Sequence, residues 1–211
     1  VTAEQKLAFI DTETVSLSVE THIWEVGLIL RDPESGDPKD KEFVWQLPCD
    51  LRIADPQSLR ICQFFERRSP EAGQASDVNA ALEGTNGMVI PVDSMFKWAE
   101  RFVQLTRDAI LIGNVPGFDD ERLRKLLYDL CQIPMWHYQP VDVEALAAGR
   151  LGMEPPWSTA GLTTRLGLII PEGQHTAIGD CRAARNIYDA VFYDRPLDPR
   201  PPIPESFENP T

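Results

Sequence analysis

Two acids stand one residue apart in Phe9-Ile10-Asp11-Thr12-Glu13-Thr14, at the end of an apolar run. Side chains alternate along a strand, so Asp11 and Glu13 point to the same face at its C-terminal edge. Carboxylate oxygens delivered in this way suit hard cations such as Mg2+ or Mn2+. An isolated pair of this kind is also an ordinary solvated strand end. Asp119 lies in Ile112-Gly113-Asn114-Val115-Pro116-Gly117-Phe118-Asp119-Asp120, between a buried-strand run and a helical stretch. Near a helix N-terminus it can cap the helix and complement its dipole, with Asp120 sharing that work. His175-Thr176-Ala177-Ile178-Gly179-Asp180 opens the last long helical stretch, behind Gly173. His175 then falls on a loop or first turn, with Asp180 one turn into the helix. A histidine there, with a reference pKa of about 6.5, suits a general base near neutrality and equally a surface or capping role.

The elements that carry these residues follow from periodicity. Residues 6–10, 23–30 and 42–47 read as strands, with a turn-rich stretch at 32–38. Short connections join them into an antiparallel meander. Beyond residue 91, strands alternate with helices. Helical spacing covers 92–106, 119–131, 144–148, 159–166 and 177–193, and strands are expected at 109–113 and 140–143. Such alternation adds parallel strands to a sheet. The expected fold class is α/β, a mixed sheet between layers of helices. Two segments stand outside this plan. Residues 49–91 form a long polar connection, rich in Gly, Ser and Asn around 69–87. Residues 195–211 hold six of the 18 prolines without apolar periodicity, which predicts an extended or disordered tail.

At 211 residues the chain is expected to form one domain, and 43% hydrophobic against 25% charged residues excludes collagen-like, coiled-coil and wholly disordered classes. The 20 Lys and Arg against 33 Asp and Glu give a formal net charge of −13. That argues against capture of duplex DNA or an anionic membrane by bulk electrostatics. No apolar run approaches the roughly 18 to 20 residues of a membrane span. The N-terminus lacks the charged-then-apolar layout of a secretory leader. Cys49, Cys62, Cys131 and Cys181 are widely spaced with no C-x-x-C, as expected of reduced thiols in a cytoplasmic protein.

Taken in order, Asp11, Glu13, Asp119, His175 and Asp180 resemble the catalytic set of the DEDDh 3′–5′ exonucleases, DnaQ-like members of the ribonuclease H-like superfamily. The resemblance runs motif by motif from Leu7 to about Tyr193. Ser16-Leu17 echoes the family's Gly-Leu, and Trp24-Glu25-Val26-Gly27-Leu28 its second strand. There are two departures. Val115 stands where the family has Asn, with Asn114 one place early, and Cys181 stands where Ala is common. The resemblance implies a ribonuclease H-like mixed five-stranded sheet, three antiparallel strands then parallel additions, flanked by helices. It implies one exonuclease domain over 1–194, with an insert-like loop at about 69–91 and the tail 195–211 outside it.

The same resemblance implies two divalent cations, Mg2+ or Mn2+, roughly 3.5 to 4 Å apart. Asp11 would bridge them, Glu13 and Asp180 would complete the nucleophile side, and Asp119 would serve the other cation. His175 would take the proton from the attacking water. The implied substrate is a single-stranded nucleic acid 3′ end, DNA favoured over RNA, cut to nucleoside monophosphates in proofreading or processing. A polymerase or a second copy is an implied further partner, and a membrane is not. Substrate contacts are expected from Thr12, Thr14, Leu17 (as a wedge), Asn114 and Phe118. Residues 59–68 are expected to add Phe64, Phe65 and Arg67 for stacking and phosphate contact. Leu17 equally reads as core, and 59–68 as a helix packing Ile61, Phe64 and Phe65 inward with its arginines in water. Arg60, Arg67, Arg68, Arg122, Arg182 and Arg185 are expected to supply a short phosphate track. The competing readings are an exoribonuclease trimming RNA ends or short oligonucleotides, and a non-catalytic subunit that binds single strands or a polymerase.

Overall fold

β1 (Leu7–Thr14) is the axis of the computed structural model, which describes residues 5–35, 39–68, 78–84, 89–169, 173 and 175–193. The expected tail at 195–211, and residues 69–77 and 85–88 of the expected insert-like loop, lie outside the described residues. β2 (Ile23–Arg31) pairs antiparallel with β1, and β3 (Lys41–Gln46) antiparallel with β2. On the other side of β1, β4 (Ile110–Gly113) and the short β5 (Val141–Asp142) add in parallel. The resulting order is β3-β2-β1-β4-β5, a ribonuclease H-like mixed sheet as expected.

Helices α1 (Pro56–Ile61), α2 (Phe64–Arg67) and α3 (Val78–Leu82) follow β3. α3 lies within the stretch expected to be loop; the Trp45 indole N–H donates to the Leu82 carbonyl at its end (3.1 Å). α4 (Met95–Thr106) precedes β4, and α5 (Pro116–Asp129) follows it. α6 (Val143–Leu151), α7 (Thr159–Arg165) and α8 (Ala177–Phe192) complete the described chain. No helix among the described residues is long and apolar enough to cross a membrane.

Alternation along β1 divides the core in two. Ala8 and Ile10 belong with Trp45, and with Trp98 and Phe102 of α4, on one face of the sheet. Leu7 and Phe9 belong with Val143 and Ala147 of α6 and Ile187 and Tyr188 of α8, on the other. The same parity carries Asp11 and Glu13 to the α8 side. β1 does not end at the apolar run, because residues 11–14 still have β2 to pair with; the register includes Asp11↔Gly27 and Glu13↔Glu25. Its pairing with β4 runs only from Leu7 to Phe9. β4 turns away at Gly113 toward α5, so β1 outruns its parallel neighbour and a crevice opens there. Ligand sites of open α/β sheets form at such carboxyl ends.

Gly27, directly across from Asp11, sets the position of α8. A Cβ at residue 27 would lie 2.5 Å from the Ala177 carbonyl carbon and 2.7 Å from the Ile178 nitrogen. Only a residue without a side chain lets the first turn of α8 lie against β2 at this height. Gly27→Ala is therefore expected to force the helix off the strand and lower stability by about 1–3 kcal/mol, the usual cost of overpacking. Chemical or thermal melts check this, and an unchanged midpoint contradicts it.

Candidate active site

Three elements meet at the crevice. β1 supplies Asp11 and Glu13, α5 supplies Asp119, and α8 with the turn before it supplies Asp180 and His175. Carboxylate oxygens of Asp11, Glu13 and Asp180 lie within 4.8 Å of one another. Asp119 is buried beside them and accepts a hydrogen bond from the Thr12 hydroxyl at 2.7 Å. Pro116 starts α5 earlier than the helix expected from 119, which places Asp119 inside the first turn rather than at its cap. Asp120, its neighbour, also does no capping: its carboxylate accepts from Arg124 (2.9 Å) and from the Trp136 indole (2.6 Å). His175 is exposed, with φ 60°, after Gly173 with φ 84°. Thr176 caps α8, accepting from the Gly179 N–H at 3.0 Å and donating to the Gly173 carbonyl at 2.6 Å. The cleft measures about 550 Å3; Asp11, Glu13, Asp119, His175 and Asp180 all line it, together with Thr12, Asn114, Phe118, Glu144 and Thr159.

Burial and mutual repulsion dominate the electrostatics. Burial pushes Asp11 well above the usual carboxylate range, and Asp119, Asp180 and Glu13 add to the effect. Burial raises Glu13 to about 8 against the pull of Arg67. Asp119 rises to about 7, burial outweighing the Thr12 hydrogen bond. Asp180 is raised by burial and partly held down by His175. Four oxygen-donor side chains that resist carrying their charges together fit hard divalent cations, whose binding would displace those protons.

The expected substrate contacts have diverse fates. Asn114 and Phe118 line the cleft, and the Asn114 Oδ1 is buried without a hydrogen-bond partner among the described residues. Thr12 also lines the cleft but is engaged with Asp119. Thr14 is buried and donates to the Ser16 carbonyl at 2.7 Å, holding the end of β1 rather than facing the cleft. Leu17 is 76% exposed, so the core alternative fails. Phe64 is a correction: it is buried edge-on against Trp24, centroids 5.0 Å apart, and offers no face to a base. Arg67 is a second. It forms a mostly buried ion pair with Glu25, donates to the Cys62 and His175 carbonyls at 2.7 and 2.8 Å, and lies over the Trp24 ring. Phe65 alone of that group remains open, at 69% exposure.

The inward-packing alternative for 59–68 is also half reversed. Ile61 and Phe65 face out, while Arg68 reaches in to the Leu47 and Trp24 carbonyls at 2.7 and 3.3 Å. The expected arginine track does not form. Arg182 pairs with Glu42 at 2.5 Å, Arg185 lies beside Glu42 and Asp40, and Arg122 is buried; Arg60 is exposed.

Glu25 and Glu144 were not anticipated. Glu25 is buried across from Glu13, pairs with Arg67 and accepts from the Ala177 N–H at 3.0 Å. It thus anchors the start of α8 from below. A lone acid in an otherwise apolar central strand was the available signal. Glu144 lines the cleft, accepts from the Thr159 hydroxyl and is raised by burial. Nothing in its sequence context marks it.

The chain has a ribonuclease H-like fold with an acidic site where β1 outruns β4. Solved structures share the fold. That of S. pombe Pop2p in its Mg2+ and Mn2+ bound form matches with a TM-score of 0.60 at 15% identity, covering 91% of this chain and 86% of that one. Cell-death related nuclease 4 (CRN-4) matches with a TM-score of 0.54 at 12% identity, covering 87% of this chain. The chain spans 62% of CRN-4. No protein-family model matches the chain, and no curated protein sequence matches it.

The raised carboxyls set the pH response of the metal-free protein. Between the ordinary 4.5 of Glu13 and its folded value of about 8, the native state keeps a proton that the unfolded chain has released. That contribution to stability is complete below the lower value and lost as pH rises through the upper one. Asp119, raised from 3.8 to about 7, acts in the same sense. In EDTA the melting temperature is expected to fall from about pH 5 to about pH 8, and Mg2+ or Mn2+ to restore most of the loss. A melting temperature that is level in EDTA and indifferent to cations contradicts the clustered-carboxylate account.

Proposed function

We propose that the chain is a metal-dependent 3′–5′ exonuclease that hydrolyses phosphodiester bonds at the 3′ end of single-stranded DNA and releases nucleoside monophosphates. The observation that carries the reading is the convergence of Asp11, Glu13 and Asp180 within 4.8 Å, with Asp119 and His175 on the same cleft of a ribonuclease H-like fold. A purely binding subunit has no need of a buried acidic cluster that opposes its own ionisation.

Asp11, Glu13 and Asp180 would hold one divalent cation, and Asp11 with Asp119 a second. Such cations would supply a water acidic enough to attack at neutral pH and neutralise charge on the transferring phosphoryl group; the similar Pop2p structure is an Mg2+ and Mn2+ bound form. The remaining work falls to the protein. Thr12 orients Asp119 through its hydroxyl. His175, exposed at the cleft, accepts the proton of the attacking water on its imidazole. Leu17, Asn114 and Phe118 contact the strand, and Phe65 offers a further stacking face. The exonuclease domain takes in residues 1–194. A polymerase or a second copy is the natural partner of a proofreading activity, and four free thiols accord with a reducing cytoplasm.

The test is release of mononucleotides from 3′-labelled single-stranded DNA and RNA. Release with Mg2+ or Mn2+ and none with EDTA is expected, faster on DNA; faster release from RNA would move the substrate to the second polymer. Asp11→Asn is expected to abolish release, and His175→Ala to lower kcat by about 10²–10⁴-fold. A protein that releases nothing from either polymer is not a nuclease, and wild-type rates in His175→Ala remove the base from that residue.

A further inference from the structure

Resting on the exonuclease reading, we propose that Arg122 is a positioning residue: its guanidinium backs the Phe118 ring as a stacking platform for the 3′-terminal base and pins the turn that presents Leu17. Arg122 follows Phe118 by one turn of α5 and is 6% exposed. Its Cζ lies 3.4 Å from the Phe118 ring centroid, a close cation–π contact. One terminal nitrogen donates to the Phe118 carbonyl at 3.1 Å and the other to the Leu17 carbonyl at 2.7 Å. The Nε is buried with no hydrogen-bond partner among the described residues. Among the described residues its one ion pair is with the mostly exposed Glu121, at 3.4 Å. Its charge also pulls Asp119 down, but among the described residues the two form no ion pair, so ring and carbonyl contacts must offset much of the cost of burying the guanidinium.

The consequence is a shared support. Phe118 lines the catalytic cleft while the guanidinium covers one of its faces, so the surface it turns to the cleft belongs to a ring already held in place. Aromatic faces take any base, and stacking does not depend on net charge. That suits a chain of net charge −13 whose other arginines near the site are engaged with carbonyls and carboxylates. The Leu17 turn hangs from the same plane, so the exposed Leu17 and the Phe118 ring keep a fixed relation across 100 residues of sequence, which a lysine ammonium, being a point charge, cannot impose.

The experiment uses the full chain and a thymidine oligonucleotide ending in 3′-terminal 2-aminopurine, whose fluorescence falls when the base stacks. Binding is followed with Ca2+ replacing Mg2+, and hydrolysis is followed separately with Mg2+. Wild-type protein is expected to quench the terminal base at saturation. Phe118→Ala, Arg122→Met and the charge-retaining Arg122→Lys are expected to leave it bright, with KM raised about tenfold and kcat changed less. Melting curves show which variants are folded, and the wild-type measurement stands without any of them. The proposal is overturned if folded Arg122→Lys keeps wild-type quenching and KM, or if wild-type protein hydrolyses the oligonucleotide while its terminal base stays bright. Wild-type protein that neither binds nor hydrolyses overturns the exonuclease reading and this one with it.

Discussion

The contact on which the site depends is backbone against backbone: the first turn of α8 resting on β2 at Gly27, directly across from Asp11. Helix-to-sheet packing normally leaves room for side chains between the layers. Here there is none, and the missing layer brings Asp180 down to the acids of β1. Glu25 and Arg67 reinforce the seat, one accepting from the Ala177 N–H and the other donating to the His175 carbonyl. The turn that carries the histidine is held from two directions by a single buried ion pair. Repulsion among the carboxylates then follows from the packing, since the fold gives them no freedom to separate.

Positive charge is distributed to serve that arrangement. Arg31 bridges Asp40 and Asp189, tying β2 to α8 with bonds of 2.7 to 3.0 Å, and Arg182 pairs with Glu42 of β3. These pairs fasten the helix to the sheet along its length, away from the cleft. Arg67 acts on Glu13 from nearby, but its ion-pair partner is Glu25. Arg67, His175 and Arg122 each pull a carboxyl of the cluster down, but burial outweighs them, and the uncompensated remainder is what divalent ions would neutralise.

Much of this was legible in the sequence because it rests on local pattern. Alternation in β1, the apolar run of β4 and the Gly-flanked opening of α8 place four acids and a histidine at element ends, and their order is what resembles a known catalytic set. The segment 59–68 was not legible. Its aromatic and basic residues fit both a solvent-facing groove and an amphipathic helix, and the structure takes neither whole. Arg67 turns inward because a buried acid 42 residues earlier needs it, and Phe64 because Trp24 lies beneath it. Those reasons are tertiary and leave no trace in spacing. Arg122 belongs with them: on the helix it looks like one more surface charge, and only the Leu17 turn and the Phe118 ring show why it is buried.

The strict alternation of β1 has a consequence for how the chain finds its fold. A slip of one residue between β1 and β2 would exchange the two faces of the strand. Asp11 and Glu13 would then enter the apolar layer of Trp98 and Phe102, where water is absent and no compensating group waits. Ala8 and Ile10 would move toward α8, and Gly27 would no longer stand across from Asp11. Mispaired sheets are thereby disfavoured during folding by the same two side chains that later line the cleft. The acids of β1 act as register marks before they have anything to bind.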